Sequence, residues 1–246
     1  MKPEQMTISL KEQIAIVTGG GSGIGRAIAL RLAERGATVC IVGRRKHLLE
    51  SVVETIRLSG GKGKPYCTDV TSDEGLRTLC QSVQNELGRV DILVHSAGAF
   101  VMGALATSSV ADLDSQYHAN VRAPFVLTQA LLPLIRACHG QIVFVNSTVG
   151  LNTRPFVGQF SSTQHALKAF ADTLRHEVNA EGIRVLSIYP GRTATPRQAA
   201  IFQSEEREYR PERLLQPEDV ASVVINALEL NRTAEVTDIK IRPFIK

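Results

Sequence analysis

The sequence predicts an α/β fold, with one doubly wound parallel sheet of about seven strands and helices on both faces. Two patterns carry this expectation. Short runs rich in β-branched residues alternate with amphipathic helical stretches, and the first run leads straight into a glycine-rich turn. The length of 246 residues suits one α/β domain. With no linker, internal repeat or low-complexity tract in view, residues 1–246 read as a single unit.

Ile14–Val17, Val39–Val42, Ile92–Val94, Ile142–Val145 and Val185–Ile188 read as strands buried on both faces, because they are apolar without alternation. Lys64–Cys67 is a weaker strand and Val236–Ile241 a final one. Ile24, Ala27, Ile28 and Leu32 recur at helical spacing, as do Leu76, Leu79, Val83 and Leu87. Long helices fit Asp112–Arg136, Ser161–Ala180 and Pro217–Leu230, with Pro217 suited to a first turn. The polar segment Thr195–Gln216, containing Pro196 and Pro211, is the candidate for a flap over a site.

Composition excludes several classes. Apolar residues make up 43% and charged residues 21%, which is ordinary for a globule and wrong for a disordered chain. No run approaches the ~20 apolar residues of a membrane span. Met1–Glu12 has no apolar leader pattern. The net charge of +4 comes without a basic stripe, so neither nucleic acid nor a membrane surface is expected as a partner. Cys40, Cys67, Cys80 and Cys138 have no C-x-x-C or metal-ligand spacing and read as buried small hydrophobes in a reducing, cytoplasmic setting. No metal site is expected.

The first strand runs into Thr18-Gly19-Gly20-Gly21-Ser22-Gly23-Ile24-Gly25. Glycines there let backbone approach a pyrophosphate, and the following helix offers free N–H groups and a positive dipole end. The second strand ends at Gly43-Arg44-Arg45, where an NAD-preferring site would hold an acid for the ribose 2′-hydroxyl. Two guanidinium groups suit the 2′-phosphate of NADP(H) instead. Arg44 is the first choice, Arg45 the second, and Ser22 a hydrogen-bonding neighbour.

These residues resemble the short-chain dehydrogenase/reductase family over about Gln13 to Pro243, which implies a Rossmann fold and a dinucleotide cofactor. The resemblance assigns Gly19, Gly21, Ser22, Gly23, Ile24 and Gly25 to the glycine motif, and Asp69 and Val70 to the adenine. His95-Ser96-Ala97-Gly98 stands at the family's N-N-A-G position with both asparagines replaced, leaving Ala97 and Gly98 as cofactor contacts. Pro190, Gly191, Thr193 and Thr195 match the segment that closes on nicotinamide and diphosphate. Asn120 and Ser147 match the catalytic asparagine and serine. The resemblance also implies a homodimer or homotetramer built on the helices Asp112–Arg136 and Ser161–Ala180.

The family's Y-x-x-x-K motif falls about 13 residues after the serine. That register lands on Phe160, and Gln164 takes the lysine position; Lys168, one turn further on, has no tyrosine four residues before it. The tyrosine hydroxyl would protonate a carbonyl oxygen, and the lysine ammonium would lower the pKa of that phenol. Phe160 has no hydroxyl. Gln164 has no charge, although its amide still suits ribose hydroxyls. Of the four tyrosines, Tyr66 reads as structural, Tyr117 and Tyr189 as packing residues and Tyr209 as a flap residue; His165 should face away from Gln164. The sequence therefore supports an NADP(H)-binding oxidoreductase acting on a small carbonyl or alcohol compound, with weak, altered or absent activity. The alternatives are a non-catalytic cofactor-binding sensor, a silent subunit of a family assembly, or a module with a vestigial site.

Overall fold

The computed structural model describes residues 8–244. Residues 1–7, part of the stretch read above as free of a leader pattern, lie outside them. Seven parallel strands form one sheet in the order β3-β2-β1-β4-β5-β6-β7. They are β1 (Ile14–Thr18), β2 (Thr38–Gly43), β3 (Lys62–Cys67), β4 (Ile92–His95), β5 (Gln141–Val145), β6 (Arg184–Pro190) and β7 (Asp238–Ile241). The helices are α1 (Gly23–Glu34), α2 (Lys46–Leu58), α3 (Asp73–Glu86), α4 (Val110–Tyr117), α5 (Ala123–Arg136), α6 (Gly158–Val178), α7 (Pro196–Ser204) and α8 (Pro217–Leu228).

The two faces of the sheet explain the unalternating strands. Ala15 and Val17 of β1 pack with Ile28 and Leu32 of α1, Val52 of α2 and Val224 of α8. Between them Ile16 points the other way, to the side of Leu79 in α3, Leu131 in α5 and Leu174 in α6. Each side chain buried this way contributes roughly 1.5–3 kcal/mol. Among the described residues no helix is long and apolar enough to cross a membrane.

Two expectations change. The single helix Asp112–Arg136 is divided into α4 and α5 by a π-turn at His118–Arg122. Pro124 has no N–H to close an α-turn onto the Asn120 carbonyl, and the Asn120 side chain is tied to the loop before α4, accepting from Ala99 N at 2.7 Å and donating to Ala99 O at 3.0 Å. Only Cys40 of the four cysteines is buried. Cys67 is exposed, Cys80 and Cys138 are half-buried, and all four are free. Burial pushes the Cys40 thiol up to about 12.

The strand order places a switch point at β1. The chain runs β1-β2-β3 to one side, then returns to β4 on the other. The loops after β1 and β4 diverge there and leave a crevice at the carboxyl ends of the strands.

Candidate functional site

Thr18 ties the two loops of the crevice together. Its hydroxyl accepts from Ser96 N at 3.1 Å and Ala97 N at 3.2 Å, and donates to Val94 O at 3.3 Å. Gly19 has a φ of +67°, and a Cβ there would stand 2.8 Å from Ala97 N. Gly25 does not line the crevice. A Cβ on it would meet the Gly19 carbonyl oxygen at 2.5 Å, so it lets α1 approach the turn.

A groove of about 910 Å³ runs from this turn along the strand ends. Gly19, Gly21, Ser22, Gly23, Ile24, Arg44, Arg45, Asp69, Val70, Ala97, Gly98, Asn120, Phe160, Gln164 and Thr195 line it. Ser22 is the N-cap residue of α1, yet its hydroxyl makes no capping bond. It accepts instead from Arg45 Nη2 at 3.2 Å. The first-turn amides are left without a side-chain partner from the cap, as an anion site requires. Arg44 is largely exposed and stands 3.9 Å from the Asp69 carboxylate. Burial would raise the Asp69 carboxyl, but hydrogen bonds from Thr71 N at 2.9 Å and Thr71 Oγ1 at 2.7 Å, with Arg44 nearby, hold it below the usual range.

A second cavity of about 490 Å³ continues the groove; Ile24, Asn146, Phe160, Thr195 and Arg197 border both. Ser147, Pro190, Gly191 and Thr193 line only the second. Ser147 Oγ accepts from Val149 N at 3.4 Å, and Thr193 Oγ1 donates to Gly191 O at 3.0 Å. The Phe160 ring stands edge-on to Phe100 with centroids 4.9 Å apart. Gln164 is buried one turn later, and its backbone carbonyl accepts from Asn146 Nδ2 at 3.0 Å. Asn120 Nδ2 also donates to Thr163 Oγ1 at 3.0 Å.

None of the four tyrosines lines either cavity. Tyr66 bonds Glu86 at 2.8 Å, Tyr189 bonds Asp238 at 3.0 Å, Tyr209 packs on Phe202, and Tyr117 is about half exposed beside His118. His165 is exposed and bonds the Ser161 carbonyl.

His95 lines the groove from the end of β4. Its ring stacks on Phe144 at 4.9 Å and shares a 2.9 Å hydrogen bond with Thr128. Burial pushes its pKa down to about 3, against an ordinary value near ~6.5. The unfolded chain therefore binds the extra proton first. The stability contributed by neutral His95 is complete above about pH 6.5 and falls as pH drops toward about 3. In His95→Asn, the stability lost between about pH 7 and about pH 5 should shrink by about 2 kcal/mol. Urea unfolding at both pH values checks this, and an unchanged pH dependence would contradict it.

Motif reasoning missed three arginines. Arg197, on the first turn of α7, reaches the Gly98 carbonyl at 2.5 Å, so the flap segment begins as a helix leaning on the groove. Arg154 and Arg192 line the second cavity. They belong to separate segments, and no spacing in the sequence marks their convergence.

A profile described as short chain dehydrogenase matches residues 13–206. An uncharacterized oxidoreductase of Staphylococcus aureus strain USA300 is 32% identical over 239 residues, covering 97% of this chain and 100% of its own length. A short chain dehydrogenase of Shigella flexneri, solved in complex with NADP, superposes with a TM-score of 0.86 at 28% identity, covering 96% of this chain and 99% of that one. L-sorbose reductase of Gluconobacter frateurii, solved with NADPH and L-sorbose, gives 0.86 at 26% identity with 97% of each chain covered.

Proposed function

The chain belongs to the short-chain dehydrogenase family of NAD(P)-dependent oxidoreductases, and from that premise we propose that it prefers NADP(H) to NAD(H) and carries a carbonyl site whose proton donor has been replaced. One observation carries the second half: Phe160 borders both cavities, and no tyrosine lines either of them. For the first half, Arg45, Ser22 and the exposed Arg44 supply donors for a 2′-phosphate where an acid would repel it.

The cradle suits a dinucleotide. A Cβ at Gly19 would fill the space against Ala97, and the amides at the start of α1 lack a capping partner. The glycine turn, Arg44, Arg45, Asp69, Val70, Ala97 and Gly98 would hold the adenosine and diphosphate, with Gln164, Pro190, Gly191, Thr193 and Thr195 toward the nicotinamide. When bound, the cofactor supplies or accepts the hydride. The Ser147 hydroxyl orients the carbonyl oxygen, and Gln164 offers an amide to ribose hydroxyls. Asn120 stays locked between Ala99 and Thr163. Neither Phe160 nor Gln164 exchanges a proton, so water or the substrate itself must provide one. Activity is then weak, altered or absent. In the last case the chain serves as a cofactor-binding sensor or a silent subunit, a reading favoured by an intact cradle beside a site without a phenol.

A cytoplasmic setting and assembly as a homodimer or homotetramer complete the proposal. Exposed Val110, Leu113 and Tyr117 on α4 and Phe125 on α5 support a contact through these helices. Thermal unfolding with NADPH and NADH tests the cofactor reading. Saturating NADPH, at about a hundred times its Kd, should raise Tm by roughly 5–10 °C and NADH by less. No shift with either at about 1 mM would overturn it.

A further inference from the structure

The second cavity carries a charge that hydride and proton transfer to a neutral carbonyl do not require. Its lining holds Arg154, Arg192 and Arg197 and no acid. The carboxylate that faces Arg154 and Arg192 is Glu205, just past the end of α7, and it is already shared. Arg192 Nη2 donates to both of its oxygens at 2.7 Å, and Arg207 Nη1 stands 3.4 Å away. Arg154 Nη1 is 3.7 Å off, beyond hydrogen-bond distance. Three guanidinium groups to one carboxylate leave a surplus of two positive charges. Arg197 adds another, since it donates to the Gly98 carbonyl and pairs with no carboxylate among the described residues.

Arg192 has a structural task. Its guanidinium lies 4.7 Å over the Phe202 ring and fastens the end of α7 to the segment after β6. Even so, its Nη1 is buried without a hydrogen-bond partner. Arg154 has no such task. It is partly exposed on the rim with only the distant Glu205 opposite it, and burial and the neighbouring Arg192 both press against its charge. Phe100, Phe160 and Ile201 form an apolar wall, while Ser147 and Asn152 offer polar groups. A ligand suited to this lining has a short carbon body and an anionic end.

We infer that the second cavity takes a small carbonyl or hydroxy compound bearing a carboxylate, with Arg154 as the group that reads the charge and Arg197 beside it. The planar fork of a guanidinium matches a carboxylate in two hydrogen bonds. The inference rests on the reading of Ser147 as the group that holds the carbonyl oxygen. It goes further by naming the substrate class.

Calorimetric titration tests it, using pyruvate, acetoacetate and levulinate, each paired with its methyl ester, on the chain with and without NADPH. At least one acid should bind about tenfold or more tighter than its ester, and added salt should weaken the acid alone. Arg154→Gln should weaken the acid far more than its ester and so remove that preference, and Arg154→Lys, which keeps the charge without the planar fork, should keep only part of it. The inference is overturned if every acid binds no better than its ester, if no acid binds up to about 10 mM, or if Arg154→Gln leaves the preference intact. NADPH affinity in the same samples keeps the two readings apart. Binding of NADPH without acid preference removes only the substrate class, and loss of NADPH binding removes the cofactor reading.

Discussion

The double variant Phe160→Tyr/Gln164→Lys is expected to raise kcat/KM for NADPH-dependent carbonyl reduction by about two to four orders of magnitude, equivalent to roughly 3–5 kcal/mol of barrier. Phe160 stands at the border of the two cavities, so a hydroxyl added to its ring would enter the site that Ser147 lines. The two changes should be strongly coupled. A phenol alone, with pKa ~10, is a sluggish acid near neutrality. A lysine alone replaces a side chain that is 4% exposed and leaves a buried cation without a partner, so Gln164→Lys by itself should lower Tm and add little rate. Together the ammonium favours the phenolate form and brings the phenol into the working range. A panel of aldehydes, ketones and oxo-acids assayed with NADPH provides the test. If the double variant, folded and binding NADPH, is no faster than the parent on any of them, lack of a proton donor is not what limits this site.

Arg44→Ala/Arg45→Ala is expected to weaken NADPH binding by about a hundredfold or more, at roughly 1.5–3 kcal/mol for each charge-assisted hydrogen bond lost. NADH affinity should stay within about threefold, because it has no 2′-phosphate to lose contact with. Stability should change little, within about 0.5 kcal/mol, since both side chains are surface groups whose contacts are the 3.2 Å bond to Ser22 and the loose 3.9 Å approach to Asp69. Fluorescence titration with both cofactors gives the two constants. Equal losses for NADPH and NADH would show that the arginines serve the dinucleotide generally and do not read the phosphate.

Much of the architecture is legible in the chain because it rests on local patterns. The unalternating runs at Ile14–Val17 and Ile92–Val94 are strands buried on both faces, and the glycine turn between β1 and α1 lies at the sheet's switch point. The π-turn at His118–Arg122 escaped apolar periodicity, since α4 and α5 continue with similar patterning and only Pro124 marks the break. Gly25 matched a cofactor motif, but its demand is steric: a Cβ there would stand 2.5 Å from the Gly19 carbonyl oxygen, too close for α1 to hold its place against the turn.

By itself the sequence determined the order of the seven strands, the glycine turn, the arginine pair after β2, and the absence of tyrosine and lysine at positions 160 and 164. Each of these is a matter of residue type at a short, countable spacing. Tertiary structure alone decided which charges meet. Arg154 follows β5, Arg192 follows β6, and Glu205 and Arg207 follow α7, yet three guanidinium groups converge on one carboxylate beside a cavity that Arg154 and Arg192 line. Coulomb interaction depends on distance in space and on the shared environment of the groups, and neither quantity is written in the spacing of residues along the chain.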